Sequence, residues 1–144
     1  MKNNNFLGFD EFLQEDVNTL KFRIKQLYQV LESSYDGIYI TDGNANTIFL
    51  NRAYEEITGM KKKEMIGKNM AYLENDNYIS KSGTLMVLKS RKNITIEQKF
   101  KTGKTALVSS SPIFNDNDDI TMVVTNVRNV TELYELKEQL KKNR

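Results

Sequence analysis

Residues 31–59, LESSYDGIYITDGNANTIFLNRAYEEITG, decide the fold. Asp36-Gly37 precedes Ile38, Tyr39, Ile40 and Thr41, a β-branched and aromatic run that predicts a strand. Asp42-Gly43-Asn44 predicts a turn, because Gly and Asn adopt positive φ at little cost. Thr47 to Leu50 is a second β-rich run, so the pair reads as a hairpin. Asn51 stands where a helix N-cap would, Ala53 to Ile57 follow as a short helix, and Gly59 ends it.

Downstream, residues 52–70 predict short helical pieces in which Met60, Met65 and Met70 act as flexible apolar fillers. Residues 79–92 predict a longer helix with a basic end, Lys89, Arg91 and Lys92, favoured by the helix dipole. Ile94 to Phe100 alternates with period two and predicts a strand. Lys101-Thr102-Gly103 predicts a three-residue hairpin loop with Gly103 left-handed. The return strand, Thr105 to Phe114, then shares a face between Ala106, Val108, Ser110 and Ile96, Gln98, Phe100. Asn115–Asp119 is the next turn, and Ile120 to Val127 the last strand, with Val123, Thr125 and Val127 on one face.

Upstream, Leu13, Val17, Leu20, Ile24, Leu27 and Leu31 are spaced 4, 3, 4, 3, 4 and predict one helix over residues 10–32. Mostly β-branched a positions with Leu at d favour a parallel two-stranded coil, so a homodimer is expected through Leu13, Val17, Leu20, Ile24 and Leu27. Asp16 at g would pair with Lys21 of a partner helix. The alternative is an amphipathic helix lying on its own domain. From Thr131, Leu133, Leu136 and Leu140 mark a polar helix supported by a Glu138–Lys141 pair.

A chain of 144 residues suits one domain with its own core. Its 21 basic and 19 acidic residues nearly balance, which gives no reason to expect nucleic acid or an anionic membrane as a direct partner. It has no cysteine and no histidine, so disulfides, Cys-metal sites and the commonest general base are excluded. The polar N-terminus leads into no continuous apolar run, so a cytoplasmic protein without signal peptide or span is expected. Gly103-Lys104-Thr105 lacks the upstream Gly of a P-loop, having Gln98 there instead. Asn115–Asp119 lacks the Gly and Glu of a calcium loop. No nucleophile–base constellation is present, and no enzyme is expected.

The order YDGIYITD, then ITG and GKN, then NVRNVTEL resembles a PAS domain, the small α/β sensor module. Asn129 replaces the Asp of that family's closing Asp-Ile-Thr signature. The resemblance implies an α+β fold: a five-stranded antiparallel sheet with short helices on one face and flanking N- and C-terminal helices. Residues 1–9 are then a tail, 10–30 the N-terminal helix, 31–131 the PAS domain, and 132–144 the start of a connector helix. Alternation puts Tyr39 and Thr41 on one face, and matching to flavin-binding relatives makes it the cavity face. The same matching adds Tyr54, Ile66, Asn69 and Met70, and the strand faces add Gln98, Val108, Ser110, Val123 and Thr125. Met70 stands where light-sensing relatives carry a reactive cysteine, after a shared Asn69, and a thioether cannot form that adduct. Absence of His argues against a His-held haem. The resemblance extends to the N-terminal segment of bacterial sigma-54-dependent activators, with sensor histidine kinases and cyclic-di-nucleotide enzymes as alternatives. It implies a sensor and dimerisation module that binds a small molecule, or a ligand-free interaction module.

Overall fold

Two strands, β1 (Gly37–Asp42) and β2 (Thr47–Leu50), form the expected hairpin, with a bulge between Ile40 and Thr41. The computed structural model describes residues 10–11, 14–75 and 82–143. It divides into two units, Met1–Glu32 and Ser33–Arg144.

In the second unit the hairpin leads to short helices α2 (Arg52–Thr58), α3 (Lys62–Met65) and α4 (Met70–Asn75), then to α5 (Gly83–Ser90). Three strands follow, β3 (Ile94–Lys99), β4 (Thr105–Phe114) and β5 (Ile120–Asn129), before helix α6 (Thr131–Lys142). The sheet order is β2-β1-β5-β4-β3, and every neighbouring pair is antiparallel. The helical stretch thus carries the chain from one edge of the sheet to the other, and β5 closes between the two hairpins. This is a PAS-like α+β fold.

Alternation sorts the strands. Gly37, Tyr39 and Thr41 of β1 are buried, as are Ala106, Val108 and Ser110 of β4 and Val123, Thr125 and Val127 of β5. Of these, Tyr39, Ala106, Val108 and Val127 meet Tyr54, Ile57, Met60, Met65, Met70 and Leu73 in one core. Gln98 pairs with Ala106 and Ile96 with Val108, as the loop geometry requires, and Gly103 is left-handed at φ 86°.

Asn51 ties the hairpin to α2. Its Oδ1 accepts from Tyr54 N at 3.0 Å and Ile38 N at 2.8 Å, while Nδ2 donates to Asp36 O at 3.1 Å. Gly59 ends the helix at φ 79°. Gly37 allows α2 to lie against β1, because a Cβ there would sit 2.9 Å from Tyr54 Cα. Asn129 keeps a capping role without a charge: Oδ1 accepts from Thr131 N at 3.0 Å and Thr131 Oγ1 at 2.6 Å. The Glu138–Lys141 pair forms at 3.7 Å.

Three local expectations change. The β1–β2 turn takes its positive φ at Ala45 (70°), not at Gly43 or Asn44. Asp42 Oδ1 accepts from both Asn44 N and Asn46 N, which fixes the turn from its first residue and holds that carboxyl below its ordinary pKa. Gly43 is needed for close approach, since a Cβ would lie 2.1 Å from Ile120 O. Of the helix expected over 79–92, residues 79–81 lie outside the described ones. It begins at Gly83 behind the N-cap Ser82 and stops at Arg91, which is left-handed at φ 62°.

In the first unit the helix is not continuous over 10–32. Helix α1 spans Val17–Ser33. Asp16 Oδ1 accepts from Thr19 N at 2.8 Å, so Asp16 caps the helix instead of sitting at a g position within it. An Asp with free backbone N–H groups ahead of it competes well for an N-cap. Val17, Leu20, Ile24, Leu27 and Leu31 remain on one helix, and Leu13 lies outside the described residues. Among the described residues, no helix is long and apolar enough to cross a membrane.

Candidate functional site

The buried face of the sheet and the helices enclose a cavity of about 20 Å³, room for one water molecule. Its sheet wall is Tyr39, Gln98, Phe100, Val108, Thr125 and Val127. Its helical wall is Tyr54 and Met70, with Ser82, Gly83 and Thr84 at the start of α5. Gly83 brings α5 onto β4: a Cβ there would sit 2.6 Å from Ser110 Oγ.

Two polar groups of the lining are unmatched, one from each wall. Gln98 Nε2 and Thr84 Oγ1 are buried and have no hydrogen-bond partner among the described residues. Ser110 and Thr125, on the same sheet face as Gln98, bond each other at 2.7 Å, and neither accepts from its Nε2. A buried polar group left unpaired costs about 1–3 kcal/mol. An acceptor placed here would satisfy the Gln98 amide, and the Thr84 hydroxyl can donate or accept.

The rest of the lining is aromatic and sulfur-rich. The Tyr39 and Tyr54 rings stack with centroids 5.0 Å apart and planes 22° from parallel. The Tyr39 hydroxyl bonds Thr47 Oγ1 and lies 3.8 Å from Met70 Sδ. The Tyr54 hydroxyl points at Met60 Sδ, 3.9 Å away. Burial pushes the Tyr39 pKa up to about 12, the bond from Thr47 opposing it. Burial, and then the charge Tyr39 would carry, push Tyr54 well above its ordinary value. Both phenols stay neutral, so this part of the lining offers no general base near neutral pH.

Tyr39, Tyr54, Met70, Gln98, Val108 and Thr125 come together around the cavity as matched from the sequence. Ser110 lies one hydrogen bond behind Thr125. Thr41 and Val123 are buried on the same sheet face and pair with each other, but further along it than the cavity. Two residues do not belong. Ile66 is 45 % exposed: Met65 turns inward, and the left-handed Gly67 at φ 82° reverses the chain and leaves Ile66 outside. Asn69 serves the backbone, donating from Nδ2 to Asn44 O at 2.8 Å and accepting at Oδ1 from Ala71 N at 2.9 Å. Phe100 and Val127, placed on these strand faces by alternation, complete the lining with Ser82, Gly83 and Thr84, which were not singled out from the sequence. Ser82-Gly83-Thr84 does carry a capping signal, since the Ser82 hydroxyl accepts from Leu85 N at 3.1 Å.

An adduct-forming flavin does not fit this site. Met70 Sδ sits against Tyr39, the chain has no cysteine, and the cavity is far below the roughly 300 Å³ of small pockets that enclose such ligands. Among the described residues, no group of three or more acidic side chains is placed to hold a metal ion.

The PAS domain family matches residues 36–132, and the chain belongs to that family, the sensor module of signalling proteins. A curated relative, a blue-light photoreceptor of Listeria innocua serovar 6a, is 31 % identical over 106 residues. The match covers 67 % of this chain and 42 % of the relative, so the chain spans less than half the length of that protein. Among solved structures, an RNA-binding light-oxygen-voltage receptor superposes with TM-score 0.64 at 16 % identity, over 99 % of this chain and 39 % of its own. A sensory box sensor histidine kinase from Vibrio cholerae gives TM-score 0.52 at 18 % identity, over 79 % and 96 %. These structural likenesses concern the fold.

Proposed function

We propose that the chain is a cytoplasmic sensor module of a bacterial transcription-regulatory protein, acting by binding and not by catalysis. A small polar or aromatic molecule enters the cavity, takes a hydrogen bond from Gln98 and pairs with Thr84. The observation that carries this reading is the pair of polar groups, one in each wall of the cavity, that are unmatched among the described residues. In the closed form the cavity admits only a water. A larger guest has to displace Met70, whose flexible thioether suits an adaptable site.

Output runs through the flanking helices. The Thr131 hydroxyl at the start of α6 accepts from Thr105 N at 2.9 Å and donates to Asn129 Oδ1, so the first residue of β4, the last of β5 and the helix start are joined. A guest that binds two arrangements of this junction with different affinity shifts their populations. Helix α1 would pair two copies through Val17, Leu20, Ile24 and Leu27. The sigma-54-dependent activator class rests on resemblance in the combination YDGIYITD, ITG, GKN, NVRNVTEL and the charged continuation.

A second reading, a ligand-free dimerisation module, is favoured by the small volume of the cavity. Thermal-shift screening of a metabolite library against the chain and its Gln98→Leu variant separates them. Compounds that raise the Tm of the chain but not of the variant support the sensor. Equal shifts in both make Gln98 structural.

A further inference from the structure

A second concavity, of about 340 Å³, lies on the outside of α3 and α4. Met60, Met65 and Leu73 line it and are themselves buried, so its floor is apolar and mostly flexible. Lys63, Lys68 and Tyr72 stand around it. The Lys68 ammonium sits 5.7 Å from the Tyr72 ring centre, and Tyr72 is 49 % exposed. Glu64 also lines the rim, but it pairs with neither lysine among the described residues, so the rim carries one net positive charge. The volume falls in the range of pockets that hold small ligands, roughly 300–1,000 Å³, whereas the interior cavity does not.

From these features we infer that the groove is a separate binding site for a small apolar monocarboxylate. The apolar body rests on Met60, Met65 and Leu73, the Tyr72 ring covers one side, and the carboxylate lies between Lys63 and Lys68. An acid is selected over a neutral molecule because the two ammonium groups have no carboxylate partner among the described residues. A dianion is disfavoured by Glu64. The groove is linked to the interior site through Met60, which lines the groove and whose sulfur receives the hydroxyl of Tyr54, a residue of the interior lining.

The test is a titration of the full chain, labelled at methionine methyl groups, with phenylacetate, 3-phenylpropionate and hexanoate, each beside its neutral amide. At least one acid is expected to shift the Met60 and Met65 signals saturably. Its amide, and the same acid on K63Q/K68Q, should bind about tenfold more weakly, with the difference shrinking in high salt. Unchanged signal dispersion in the variant shows that it folds. Equal binding of acid and amide, shifts confined to Met70, or no saturable shift with any acid overturns the assignment. The interior site is judged separately, by Gln98→Leu, which leaves the groove intact.

Discussion

Tyr39 and Tyr54 stack with centroids 5.0 Å apart, and each hydroxyl ends on a methionine sulfur, Met70 for one and Met60 for the other. The two differ in one respect: Tyr39 also bonds Thr47. A thioether is a weak acceptor, so the Thr47 bond is the one that carries energy. Tyr39→Phe leaves the buried Thr47 hydroxyl unmatched and should cost about 1–2 kcal/mol. Tyr54→Phe, losing only a sulfur contact, should be about neutral. Urea unfolding of both variants checks the contrast, and equal losses would contradict it.

Alkaline pH reads the same pair. An exposed tyrosine in the unfolded chain loses its proton near pH 10, whereas Tyr39 in the folded protein keeps it up to about pH 12. The folded state then binds the extra proton, so stability is full below about pH 10 and falls as pH rises above it. Tyr39 alone should remove about 1.4 kcal/mol per pH unit across that window. The slope should be shallower in Tyr39→Phe, measured by urea unfolding from about pH 9 to about pH 11. An unchanged slope would mean that Tyr39 is not buried.

The approach of α5 to β4 rests on Gly83. Ala at this position puts a Cβ 2.6 Å from Ser110 Oγ, and that hydroxyl is held by Thr125. Gly83→Ala should cost about 1–3 kcal/mol, despite the better helix propensity of Ala. Combining it with Ser110→Ala removes the obstructing oxygen, so the double variant should be more stable than the sum of the singles implies. Additive losses would show that the clash lies elsewhere.

Pairing through α1 has a simple test. Ile24 is 60 % exposed at the middle of the apolar seam. Ile24→Asp should turn a dimer into a monomer in light scattering. A dimer of unchanged stability would remove α1 from the interface.

Much of this architecture is legible in the sequence because local chemistry and tertiary packing agree. Asn51 and Gly59 are good caps at the helix ends the strands require, and Gly103 fixes the register that turns Gln98 inward. Gln98 itself stands out as a polar side chain on an apolar face. Other parts are hidden because packing decides them. Gly43 looks like a positive-φ residue, yet its role is to admit Ile120 O. Ile66 follows the apolar pattern of its neighbours, but the turn at Gly67 points it away from the core. Asp16 fits a heptad on paper, and its preference for capping breaks the helix there. Thr84 gives no hint of its role, because its importance lies in a bond it lacks among the described residues.

Native mass spectrometry of freshly purified protein, beside the denatured mass and the Gln98→Leu variant, tests the polar cavity most directly. The expected spectrum shows a small molecule that is lost on denaturation and absent from the variant. A bare chain in both samples, with Gln98→Leu more stable than the parent by about 1–3 kcal/mol, would contradict it. That outcome would mean that Gln98 is an unpaired amide with no guest to receive.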